Sequence, residues 1–154
     1  MTSSGYDSRV DTMEHIETVQ RYMRQAKENL GSRSFGHDAS KLYDPEKAMF
    51  DEFTPKLRDL TYGTDEYKAC IEAMGPALRH HYEHNSHHPE HYASGIAGMS
   101  LFDLVEMLCD WKAAGERHAD GGDIRRSVAI NRERFGISEQ LEHVLLNTIE
   151  ELEW

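Results

Sequence analysis

"SLFDLVEMLCDWKAAGE", residues 100–116, is the stretch that decides the fold. Ser100 stands just before an apolar run, and Asp103 follows three residues later, the spacing of a capping box. Leu101, Leu104, Val105 and Leu108 then share one side of a helical wheel, with Asp103, Glu106 and Asp110 opposite. This is an amphipathic helix with an acidic face. Asp103 reads first as the cap. Glu106 and Asp110 lie on a face that suits water, and equally suits ligands aimed into a cleft.

The same period recurs on both sides. Val10, Met13, Ile16, Val19, Met23, Ala26 and Leu30 are spaced by three or four, which predicts a helix stopped by Gly31. A short helix is expected over "GHDASKLY" at 36–43. Another should start at Pro45 with Asp44 as its cap and run to Phe53, and Thr54-Pro55 should open the next short element. Residues 65–84 read as helix that Gly75-Pro76 should bend or split. Residues 85–99, with Asn85, Pro89, Gly95 and Gly98, read as a loop. "ADGGD" at 119–123 is a turn, followed by helices at 123–134 and 138–152. Almost nothing alternates with period two. The expectation is an all-α bundle of six or seven helices, with a loose tail over 1–8 and a single domain over 9–154.

The chain has 154 residues and a formal net charge of −11, so one core suffices and a duplex nucleic acid is an unfavourable partner. No apolar run reaches the roughly 20 residues that span a bilayer, and the N-terminus lacks the basic start and apolar core of a secretory signal. Cys70 and Cys109 form no CxxC pair and read as buried thiols of a reducing cytoplasm. The acidity leaves room for a divalent cation and for a small phosphorylated ligand held by a few Lys and Arg. No membrane partner is expected. The amphipathic C-terminal helix either closes this domain's own core or pairs with a second copy in a homodimer.

Chemistry concentrates in "RHHYEHNSHHPEHY" at 79–92, which holds six of the ten histidines. His80 and His84 are one helical turn apart, and His81 and His84 are also neighbours. His87 and His88 fall beyond Asn85, where the helix should have ended. Three further places can supply partners: His15 at the edge of the first stripe, His37-Asp38, and the acidic face carrying Asp110.

The order of His15, His37-Asp38, a histidine cluster and Asp110 resembles the HD-domain superfamily of metal-dependent phosphohydrolases. "HDASK" at 37–41 is similar to that superfamily's His-Asp segment, lysine included. Residues 99–117 resemble the Asp-ended helix, followed by Arg, of HD-type dinucleotide polyphosphate hydrolases. "NSHHPEH" at 85–91 and "EMLCDW" at 106–111 also resemble the signatures of an uncharacterised family of small bacterial and phage proteins. The HD resemblance covers about residues 10–117.

This resemblance implies a divalent metal, one or two ions drawn from Mn, Fe, Co, Zn and Mg, held by His15, His37, Asp38 and Asp110. His81, His84 and His88 would stand nearest a second ion. Imidazole and carboxylate donors suit these metals. Asp38 would then serve as base and Lys41 as the phosphate's counter-charge. Arg126, in the basic segment 125–132, and Asn85 are further candidates for substrate contact. The implied activity is hydrolysis of a small phosphorylated molecule, a nucleotide first among them, in the cytoplasm of a bacterial or phage-infected cell. Two alternatives stand beside it: a di-iron oxygenase on the same scaffold, and a module that binds a nucleotide or a protein without turnover.

Overall fold

The computed structural model describes residues 6–61, 63–117 and 122–154, and among them the fold is all-α. Seven α-helices are present: α1 Arg9–Gly36, α2 Glu46–Arg58, α3 Asp65–Ala73, α4 Gly75–His84, α5 Leu101–Glu116, α6 Ile124–Phe135 and α7 Glu139–Glu151. The chain divides into two compact units, one up to Gly36 and one from His37 onward, where the sequence reads as a single domain.

The first unit is α1. Gly31 does not stop it, and the helix continues to Gly36. A glycine inside a helix costs only about 1 kcal/mol relative to alanine, which a helix of 28 residues absorbs. None of its residues is buried.

In the second unit, Leu108 of α5, Ile124 and Val128 of α6, Ile137, and Leu145 and Ile149 of α7 form the apolar core. Trp111 and Phe135 pack against it with their rings stacked. Helices α3, α5, α6 and α7 begin where a side chain satisfies a free amide, Thr64 in the case of α3. Ser100 and Asp103 make the full capping box of α5, Asp123 caps α6 and Ser138 caps α7. Gly136, at φ 63°, ends α6 in the left-handed conformation that glycine adopts without strain. Gly115 and Gly122 meet where α5 ends and α6 begins. A Cβ on Gly122 would come within 2.7 Å of the Gly115 backbone, so only glycine allows this approach.

Some boundaries differ from the sequence reading. Helix α2 starts at Glu46, with Pro45 rather than Asp44 at the cap position. It runs through Pro55 to Arg58, so Thr54-Pro55 opens no new element; the proline sits in the last turn, where little helix remains to be broken. At Gly75-Pro76, by contrast, the expected interruption is present as a split: α3 ends at Ala73 and α4 begins at Gly75, with Met74 between them. Residues 119–121 of the expected turn lie outside the described residues. No helix among the described residues is long and apolar enough to cross a membrane.

Candidate metal centre

The His-Asp pair sits in the turn between α1 and a short 3-10 helix, Ala39–Leu42. Asp38 adopts φ 55° and ψ 15°, a left-handed conformation that is uncommon outside glycine and that clusters at functional positions. The 3-10 turn brings Lys41 back over the pair, with Nζ 2.5 Å from Asp38 Oδ2. The same ammonium lies 4.9 Å above the Phe50 ring.

The histidine segment is held by polar anchors rather than by regular structure. Asn85 ends α4, is nearly buried, and donates to the His81 carbonyl at 2.8 Å and to Ser40 Oγ at 2.9 Å. Beyond it, Ser86 donates to Asp103 Oδ1 at 2.7 Å and Tyr92 donates to Asp103 Oδ2 at 2.9 Å. Asp103 is thus both the cap of α5 and the point to which the 86–92 loop is tied. Burial works against its charged form, but donors from Ser86, Ser100 and Tyr92 outweigh burial and hold the carboxyl well below its ordinary range.

Two buried or half-buried carboxylates orient the rings. Glu46, fully buried at the start of α2, takes His81 Nδ1 at 3.0 Å and His80 Nδ1 at 2.7 Å. Glu106 Oε1 lies 2.9 Å from His37 Nδ1 and 3.1 Å from His87 Nδ1. A carboxylate facing Nδ1 places the ring proton there and leaves the Nε2 lone pair free. In His81 and His87 that lone pair turns toward Asp38, and the Nε2 of His37 faces Asp38 and Asp110. His81 Nε2 is 3.3 Å and His87 Nε2 3.4 Å from Asp38 Oδ1; His37 Nε2 is 3.5 Å from Asp38 Oδ2 and 3.7 Å from Asp110 Oδ1. His88 Nε2 lies 2.9 Å from His81 Nε2.

These distances suit a cation. Ligand atoms around a tetrahedral ion with bonds of about 2.0–2.1 Å stand roughly 3.3–3.4 Å apart. Three overlapping groups keep their ligand atoms within 4.8 Å of one another: Asp38 with His81, His87 and His88; His37 with His87 and Glu106; and His37 with Asp38 and Asp110. Asp38 Oδ1 and His87 Nε2 are buried and meet no hydrogen-bond partner among the described residues. Two acceptors facing each other in this way repel unless a positive charge lies between them. These buried His, Asp and Glu groups could hold a metal ion.

The electrostatics agree. Burial holds His88 down at about 3, reinforced by the neighbouring His87 and His81 rings, so it is neutral and able to ligate at neutral pH. Burial likewise lowers His87. His37 is raised to about 9, chiefly by Asp110, against the cost of its burial and with help from Glu106. Burial raises Asp38, but the His81 ring and the Lys41 ammonium outweigh it and keep the carboxyl charged well below the usual range.

A family model, described as a family of unknown function, DUF5662, matches residues 5–151. The chain belongs to this family. No curated protein and no solved structure gives a significant match.

Of the residues singled out by the sequence, His37, Asp38, Asp110, His81 and His88 come together in these groups, with Lys41 beside them. His84 does not join them. It is exposed, its Nδ1 donates to the His80 carbonyl at 2.7 Å, and its ring stacks on His80. His87 takes its place, because α4 ends at His84 and the extended backbone of Asn85 redirects the chain. His15 is exposed on α1, in the first unit, whereas every group above is drawn from the second. Asn85 braces His81 and Ser40 rather than lining a ligand space. Arg126 is exposed on α6 and lines a separate cavity with Trp111 and Asp123.

The sequence reading did not single out Glu46. Its only signal was an acidic residue in the first turn of a helix, which is common. Glu106 was placed on the acidic face, but its role came only from the two rings that reach it.

Proposed function

We propose that this chain is a metal-dependent phosphohydrolase acting on a small phosphorylated molecule. The observation that carries the reading is the facing pair of buried acceptors, Asp38 Oδ1 and His87 Nε2, within a convergent set of imidazoles and carboxylates. One ion fits between Asp38, His81, His87 and His88. A second fits between His37, Asp38 and Asp110, with Asp38 shared. Manganese, iron, cobalt, zinc and magnesium all accept such donors.

A divalent ion there supplies Lewis acidity toward a phosphate oxygen and acidifies water. The protein's own groups do the rest. Glu46 and Glu106 fix ring orientation and tautomer. Lys41, half-buried beside Asp38, offers a positive charge to the phosphate. Asp38 stays ionised to hold the site, and His87 and His88 stay neutral for the same purpose.

The test is elemental analysis of untagged protein, followed by a panel of phosphomonoesters and phosphodiesters, nucleotides included. One or two equivalents of metal with metal-dependent phosphate release support the reading. Bound iron with oxygen uptake and no phosphate release would replace it with the oxygenase reading. Metal and ligand binding without turnover would leave a binding module.

A further inference from the structure

A cavity of about 830 Å³ opens beside the centre, within the second unit. His81, His88 and Lys41 stand on its wall, so it reaches the side chains that would hold metal and phosphate. Its volume lies in the range of pockets that enclose a whole small molecule.

Its walls have a pattern. From α2 come Phe50, Thr54 and Leu57, one face of that helix. From α3 and α4 come Tyr67, Ile71, Met74 and Leu78, a stripe spaced by four and three that continues across the break at Met74. Met74 is fully buried and closes the bottom of this stripe, while Tyr67, Ile71 and Leu78 are half-buried and border the open space. The remaining charged wall residues, Arg58, Arg117 and Arg134, come from the C-terminal ends of α2, α5 and α6. Among the described residues no Asp or Glu lines the cavity, although two of its cations are paired just behind the wall, Lys41 with Asp38 and Arg134 with Glu90. Among the described wall residues, Thr54, Tyr67 and Tyr82 are the only uncharged polar ones besides the two histidines, so the wall away from its cations suits an apolar body better than a base edge rich in hydrogen-bonding groups.

We propose that this cavity takes an organic phosphate with an apolar body, aliphatic or aromatic, in preference to a nucleotide. The phosphate lies toward Lys41, His81 and His88, and the body lies between the α2 face and the α3–α4 stripe. Arg58 and Arg117 favour the approach of an anion, whereas Arg134 is already paired with Glu90. The acid-free wall avoids repelling it. This rests on the metal-centre reading above for the phosphate end, and on the cavity alone for the body.

The test is calorimetric titration of the full-length, metal-loaded protein with non-hydrolysable probes: methylphosphonate, benzylphosphonate, 1-naphthylmethylphosphonate and the phosphonate analogue of adenosine monophosphate. Affinity should rise about tenfold or more from the methyl to the naphthyl probe, as apolar area is buried. The nucleoside probe should bind no tighter than the benzyl one. Ile71→Glu and Leu57→Glu should each remove the gain of the naphthyl probe at unchanged metal content. A flat series, or a nucleoside probe that binds tightest, overturns the inference. Turnover of 1-naphthyl phosphate is measured in parallel. A rising series without turnover keeps the cavity's preference and ends the hydrolase reading; turnover with a flat series does the reverse.

Discussion

His87 Nε2 stands 3.4 Å from Asp38 Oδ1, both atoms are buried, and neither meets a hydrogen-bond partner among the described residues. A folded chain rarely keeps two such acceptors face to face, because each loses its hydration with nothing in return. The contact joins the turn after α1 to the loop after α4. It is held by Glu106 behind one ring, Lys41 beside the carboxylate, and Asp103 under the loop. A cation between the two atoms would turn this unfavourable contact into a favourable one.

The first prediction concerns that contact. Asp38→Asn keeps the shape of the side chain and removes its charge. Bound metal should fall from one or two equivalents to a small fraction, with affinity down by more than about 100-fold, beyond the usual cost of losing an outer partner. Far-UV circular dichroism should be unchanged. His143→Ala, exposed on α7, should keep its metal. Wild-type metal content in Asp38→Asn would remove the shared carboxylate from the centre.

Glu106 touches the Nδ1 side of two rings and Glu46 touches that of two others. Glu106→Gln and Glu46→Gln should each lower metal affinity about 10- to 100-fold without abolishing binding, since the ligand nitrogens remain but their orientation loosens. Competition with a chromogenic chelator measures this. Glu133→Gln, on the exposed part of α6, is the comparison and should change nothing.

Protonation sets the pH dependence. Asp110, chiefly, and Glu106 raise His37 to about 9 in the metal-free chain, so it carries a proton at pH 7.5. The folded value lies above the ordinary 6.5. Its contribution to metal-free stability is therefore complete below that value and is lost as pH rises through about 9. Metal has to displace this proton from the Nε2 that faces Asp38 and Asp110. Affinity should rise with pH up to about 9. Calorimetry in buffers of different ionisation enthalpy should find about one proton released per centre at pH 7.5. In His37→Gln that release should disappear.

How much of this was legible in the sequence depends on the range of the signal. The helices were readable because periodicity and caps are local: Ser100-Asp103 and Ser138 announce α5 and α7 by themselves. Gly31 and Pro55 misled because each weakens a helix by an amount that neighbouring turns can absorb. At the site, His37-Asp38 and Asp110 were found from their order along the chain. The choice between His84 and His87 was not open to the same reading. It depends on one backbone conformation, at Asn85, that turns the chain by an angle no spacing rule supplies. Glu46 was hidden more deeply, since a carboxylate 34 and 35 residues from the rings it holds leaves no local trace.

The last prediction separates the loop's anchor from the core. Asp103 accepts from Ser86, Ser100 and Tyr92, so Asp103→Ala breaks the capping box of α5 and removes the hydrogen bonds that tie the 86–92 loop to it. Loss of the capping box alone costs about 1 kcal/mol, and each lost hydrogen bond to the charged carboxylate adds about 1.5–3 kcal/mol. Ile149→Ala, in the fully buried wall of α7, should cost a comparable 2–5 kcal/mol, roughly, through its cavity. Urea unfolding would show the two variants similarly destabilised. Their metal affinities should differ. Asp103→Ala frees the 86–92 loop that carries His87 and His88, so metal binding should weaken about tenfold or more at temperatures where the variant is still folded. Ile149 lies in the α5–α7 core, outside the histidine groups, and its variant should bind metal as tightly as wild type until it unfolds. Equal affinities in the two variants would mean that the loop holds its rings in place without Asp103.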